Sequence, residues 1–233
     1  MYFKTISLCA AALAFAVPAQ AGMPVDQTIT CPVGGEEFTV TVTPSCSEMG
    51  RSMSFAPITS CDFITRLPIC PGNGLPLYRE FSQDEIAHLE GFVSTPDYQR
   101  LRQLRPWQRA HGLAQHLGEA GTETSFWLLL RGLWYDPEAF FDGPETLQKF
   151  LDEADQERAR AGAENVPFLV AIVGYALSAA GRLDDANVRL DQAMRAADVP
   201  DFLQDYVEAI RTCQPDMTRD GCRPGDRFEP EGN

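Results

Sequence analysis

Apolar and polar positions change their rhythm along the chain. Phe38, Val40 and Val42 alternate with Thr39, Thr41 and Thr43, the period-two signature of a half-buried strand. Gly34-Gly35 reads as the turn before it, and residues 53–69 read as a second, weaker extended stretch interrupted by Pro57 and Pro68. From Ser82 the spacing becomes helical. Ser82-Gln83-Asp84-Glu85 is a capping box, and Thr95-Pro96 and Pro106-Trp107 place proline in a first turn. The helix from Pro106 runs to about Leu117 and stops at Gly118. Phe126, Leu129, Leu130 and Leu133 predict a helix over 122–135, and Leu147, Phe150, Leu151 and Ala154 predict another over 144–161. Segments 166–180, 183–197 and 200–211 continue the helical pattern. After Gln214 the chain holds Pro215, Pro224 and Pro230 among many charges and reads as irregular.

The first residues follow neither rhythm. Lys4 precedes an almost unbroken apolar run from Ile6 to Val17, and Ala19-Gln20-Ala21 has small residues where a signal peptidase needs them. Residues 1–21 therefore read as a secretory signal peptide. The run is shorter than the roughly 20 residues a spanning helix requires, so no membrane span is expected after cleavage. The expected location is periplasmic or secreted. The expected domains are the signal peptide at 1–21, a cysteine-containing β module at 22–80, a helical domain at 81–212 and an irregular tail at 213–233.

Six cysteines follow the leader: Cys31, Cys46, Cys61, Cys70, Cys213 and Cys222. An even number in an exported chain points to disulfides, although spacing alone does not choose the pairing. Cys31-Pro32-Val33-Gly34 and Cys70-Pro71-Gly72-Asn73-Gly74 look like two zinc knuckles, each without its second cysteine. A zinc ribbon needs four converging ligands, and two half-knuckles supply only two. Direct bonding of Cys31 to Cys70 is the simplest outcome, and Cys46–Cys61 and Cys213–Cys222 are the expected companions. A bridge closing a loop of about 15 residues contributes roughly 3 kcal/mol, which a module this small needs. The rival is a four-cysteine metal site, but the cysteines in the first half of the chain are separated by 14, 14 and 8 residues, with no close pair.

Residues 166–200 resemble a tetratricopeptide repeat. Val170, Val173, Gly174 and Leu177 sit at the motif's spacing on a first helix, Gly181 makes the turn, and Ala186, Leu190 and Ala193 follow on a second helix before Pro200. Residues 106–137 resemble a degenerate copy through Trp107, Gly118, Ser125, Leu129 and Pro137, with two residues inserted at the turn. One repeat cannot bury its own face, so its neighbours must stack on it. The expected fold is mainly α, a short tetratricopeptide-like α-solenoid preceded by a small disulfide-stapled β-rich module.

The order of a degenerate Cys-Pro ribbon followed by such helices resembles the bacterial domain-of-unknown-function family numbered 2225. The likeness rests on Thr30-Cys31-Pro32-Val33-Gly34-Gly35-Glu36-Glu37-Phe38, on Cys70-Pro71 and on the helix start at Phe81, and it spans roughly residues 30–212. In such proteins both knuckles carry a cysteine pair; Gly34 and Asn73 stand at the partner positions here. The resemblance implies no activity.

The formal charge of −14 argues against a general nucleic-acid binder. Among the three histidines, His111 and His116 are five apart on one helix, about 140° apart around it, which does not suit a shared metal. His88 follows Glu85 by three residues on the capped helix, a pair that reads as a solvated contact with metal binding as the alternative. No nucleophile elbow, phosphate loop or zinc-protease helix is present. Phe126, Trp127, Trp134, Tyr135, Phe140 and Phe141 read as a core joining two helical pairs, with a binding surface as the other use of such a cluster. In a tetratricopeptide fold the first helix of a pair lines the concave face, which points to Phe168, Ala171, Tyr175 and Ser178 as partner contacts. The expected function is that of an exported, non-catalytic interaction or scaffold protein without cofactor or metal, whose partner is a protein or peptide of the cell envelope. The alternative is a metal-binding or enzymatic protein with its site at the Cys31/Cys70 half-knuckles.

Overall fold

The computed structural model describes residues 22–195 and 199–230; the signal-peptide reading at 1–21 lies outside them. The chain is mostly helical, with a small β module ahead of the helices. β1 (Val25–Thr30) pairs antiparallel with β2 (Glu37–Val42), Ile29 opposite Phe38 and Gln27 opposite Val40. β3 (Glu48–Arg51) pairs with β4 (Pro57–Thr59) across a register shift at Glu48/Gly50. β1 carries only Val25 and Ile29 as apolar residues, too weak a pattern to announce a strand. Its pairing comes from the turn that joins it to β2.

That turn is the first half-knuckle. The Gly35 amide donates to the Cys31 carbonyl, and the Cys31 amide to the Glu36 carbonyl. The second repeats the scheme: Gly74 donates to Cys70, and Cys70 to Leu75. Gly34, Gly35 and Gly74 hold left-handed φ values of 96°, 70° and 75°, which a side chain at those positions would oppose. A Cys31–Cys70 disulfide joins the two loops, and the Asn73 side chain donates to the Val33 carbonyl at 2.7 Å. Cys46–Cys61 closes the β3–β4 region and Cys213–Cys222 the start of the tail. Three disulfides fit an oxidising compartment.

The joined loops pack on the first helices, α1 (Gln83–Phe92), α2 (Pro96–Arg102) and α3 (Pro106–His116). Cys31, Val33, Cys70 and Leu75 form one core with Leu89, Phe92, Tyr98 and Leu113. Arg109 spans the joint, donating to the carbonyls of Gly74, Arg102 and Leu104. The capping box at Ser82 is formed, and Arg79 together with the Ser82 amide holds the Glu85 carboxyl down at about 2.

The second core joins α4 (Glu123–Tyr135), α5 (Pro137–Phe141), α6 (Pro144–Arg160) and α7 (Val166–Ala179) through Phe126, Leu130, Phe140, Phe150, Leu169 and Ile172. The short α5 is not predicted by periodicity; Pro137 starts it, and Arg105 grips Asp136 with two hydrogen bonds at its entrance. A third core lies on the other side of α7, against α8 (Leu183–Ala193) and α9 (Asp201–Cys213). The helix expected to reach Ala197 ends at Ala193, and residues 196–198 lie outside the described part. No described helix is long and apolar enough to cross a membrane.

Among the described residues the tail after Cys213 has no regular element, yet it is built into the fold by contacts beyond its disulfide. Met53 donates to the Asp226 carbonyl at 2.8 Å and Phe228 to the Arg51 carbonyl at 2.9 Å, while Cys222 and Phe228 are buried in the third core. Met53 lies in that same core. The β module, the helices and the tail therefore share one packed joint at residues 51–56.

Candidate functional site

The joint at 51–56 is a tight turn that puts an aromatic ring among the helices. Ser52 donates its amide to Ala56, and the Phe55 amide donates back to Ser52 at 2.8 Å. Phe55 consequently sits at a φ of 66°, a conformation that costs a bulky residue about 1–3 kcal/mol and clusters at functional positions. The turn is clasped from several sides. Trp134 donates its indole N–H to the Ser54 carbonyl at 2.9 Å, the Tyr206 hydroxyl donates to Met53 at 2.7 Å, and the Ser54 hydroxyl donates to Pro224 at 2.8 Å. Burial pushes the Tyr206 hydroxyl far above its ordinary range, keeping it a donor.

Phe55 packs 5.5 Å from the Phe168 ring, 4.9 Å from Tyr206 and 6.0 Å from Phe202. Beside it opens a groove of about 740 Å³ bounded by the turn, α4, the end of α6, the start of α7 and Phe202 of α9. Phe126, Leu130, Leu169 and Ile172 are buried along its apolar lining. Trp127 and Phe202, each 38% exposed, are its most exposed aromatics. Charges lie along it as well. Arg160 pairs with Glu157 at 2.7 Å and donates to the Gly121 carbonyl, while Arg51 pairs with Glu48 at 2.8 Å. An apolar cleft of this size with polar groups placed around it is the usual form of a binding site.

The expected partner contacts divide. Phe168 lines this groove, but Ala171, Tyr175 and Ser178 are 0%, 0% and 1% exposed. The Tyr175 hydroxyl donates to the Cys222 carbonyl at 2.9 Å, and Ser178 accepts from Gln214 at 3.2 Å. α9 and the disulfide-closed tail cover the face of α7 that an open repeat would present. The groove runs along the adjacent side of α7, where Phe168 is half-buried. The aromatic cluster divides too: Phe126 and Phe140 are core, whereas Trp127 and Trp134 face the groove.

Two clusters of chemical residues lie elsewhere. His111 of α3, Ser125 of α4 and Glu153 of α6 are buried together, with His111 Nε2 and Ser125 Oγ each 2.9 Å from the same Glu153 oxygen. A hydrolytic triad needs its serine hydrogen-bonded to the histidine. Here both converge on one carboxylate oxygen, so the arrangement ties three helices together. The second cluster is His88 of α1 against His116 at the end of α3. Residues 28 apart in sequence give no local signal of such a pair, nor do residues on three different helices. At the half-knuckles, the disulfide occupies both Cys31 and Cys70 sulfurs, leaving neither as a thiolate ligand.

Comparison with known proteins finds no matching family model, no matching curated protein and no matching solved structure.

Proposed function

We propose that this chain is an exported, non-catalytic binding protein that takes an apolar or aromatic anchor of a protein or peptide into the groove between α4, α6 and α7. The observation that carries the reading is the pair of accessible aromatics, Trp127 and Phe202, over an apolar lining held open by a strained and multiply anchored turn at Phe55. Aromatic anchors with a charged rim are the energetic pattern of protein recognition. Within the same reading the helices are a short tetratricopeptide-like solenoid. Its support is the α7–α8 pair, where Gly174 lets Leu190 and the Ala186 backbone approach and Gly181 turns the chain at a φ of 73°. α9 and the tail then act as the cap that a terminal repeat requires. The signal-peptide reading of residues 1–21 and the three disulfides support a working site outside the cytoplasm, with an envelope protein as the partner.

The test is selection of a displayed random-peptide library on the disulfide-intact protein, with the Trp127→Ala variant as counter-target. Enrichment of peptides sharing an apolar or aromatic anchor that release on the variant supports the proposal. Peptides that bind both proteins equally, or no enrichment, contradict it.

A further inference from the structure

Away from the groove, α1 and α3 bring two exposed imidazoles together. His88 Nε2 and His116 Nε2 lie 2.9 Å apart, with the rings within 16° of parallel. The His116 ring is fixed by stacking on Phe92, centroid to centroid 3.4 Å and 9° from parallel. A single shared proton accounts for this approach when the pair is alone: one ring donates Nε2–H and the other accepts. The same spacing suits a metal. Two nitrogens bound at about 2.0–2.1 Å and at right angles on one ion are about 2.9 Å from each other. His116 is also the last residue of α3, where the negative end of the helix dipole favours a cation.

We propose that His88 and His116 form an open, two-imidazole site for a divalent ion of tetragonal preference, with Cu(II) the best fit. No third histidine, cysteine, aspartate or glutamate completes a set among the described residues, so water fills the remaining positions. Imidazole ligands suit copper, nickel and zinc, and copper heads the affinity order of the divalent series. On binding, the ring that had carried Nε2–H holds its proton on Nδ1, freeing both Nε2 lone pairs with no net proton change. The bound ion then links α1 to α3.

Titration of the full, disulfide-intact chain with Cu(II) in a non-coordinating buffer tests the site, read by calorimetry and by electron paramagnetic resonance. The expected result is one saturable ion with two equatorial imidazole nitrogens, weakened about tenfold or more in both His88→Gln and His116→Gln. Circular dichroism of each variant checks that the fold is kept, since both side chains lie at the surface. Ni(II) and Zn(II) should bind more weakly at the same pair. Unchanged Cu(II) binding in the double variant, a single-nitrogen spectrum, or no saturable binding would each overturn the proposal and leave the pair as a hydrogen bond.

Discussion

Glu153 shows how much one side chain can decide inside this molecule. Its Oε1 serves both His111 and Ser125, while its Oε2 is buried without a partner among the described residues. Such an arrangement is costly to assemble and worse to break, because removing the carboxylate takes this partner from the buried Ser125 hydroxyl and leaves the buried His111 Nε2 with only a 3.5 Å contact to Gln115. Glu153→Ala is therefore expected to destabilise the protein by about 3 kcal/mol, measured as a lower urea midpoint. Replacing all three polar side chains with apolar ones of similar size should cost less than the single change. Phe55 acts differently: its strain is stored in the backbone and offset by rings and hydrogen bonds contributed by α4, α7 and α9. Neither residue was legible in the sequence. Glu153 sits in a charged helix and Phe55 beside a proline-broken stretch, and only the tertiary fold supplies their partners.

At the scale of elements, α7 and α8 meet at Gly174. A Cβ built there would come within 2.6 Å of Leu190 Cδ2 and 2.8 Å of its Cγ, with the Ala186 carbonyl 3.5 Å away. Gly174→Ala should cost about 1–3 kcal/mol by overpacking. In a double-mutant cycle with Leu190→Ala the double variant should lose less than the sum of the two single losses, since truncating Leu190 makes the room the new methyl needs; strict additivity would place the close approach elsewhere. This crossing was legible, because small residues at fixed spacing report a near contact directly. So were the helix starts at Ser82, Thr95 and Thr122, each now a side-chain cap on the backbone, and the pairing of Cys31 with Cys70, which two matching half-knuckles announce. The side of α7 that lines the groove was not. Nearly every residue of that helix is apolar and buried, so its periodicity could not say which side α9 would cover.

The whole molecule is organised around the turn at 51–56, where strand module, helices and tail meet. The tail reached this role without a sequence signal, because Cys222 and Phe228 are isolated apolar positions in a charged segment. Yet the hydrogen bonds from Met53 to Asp226 and from Phe228 to Arg51 make it a support of the groove wall. Replacing Cys213 and Cys222 with serine should lower stability by about 2–3 kcal/mol through the freed loop. It should also weaken ligand capture in the groove although neither cysteine lines it; full affinity in a folded variant would show that the tail does not support the wall. The most direct test of the groove itself is the dissociation constant of one selected peptide for the native protein, for Phe202→Ala and for Val188→Ala. Val188 is 57% exposed on α8 and is not among the groove residues. A loss of tenfold or more, about 1.4 kcal/mol, is expected for Phe202→Ala and native affinity for Val188→Ala. Equal affinities for all three would place the binding surface away from this groove.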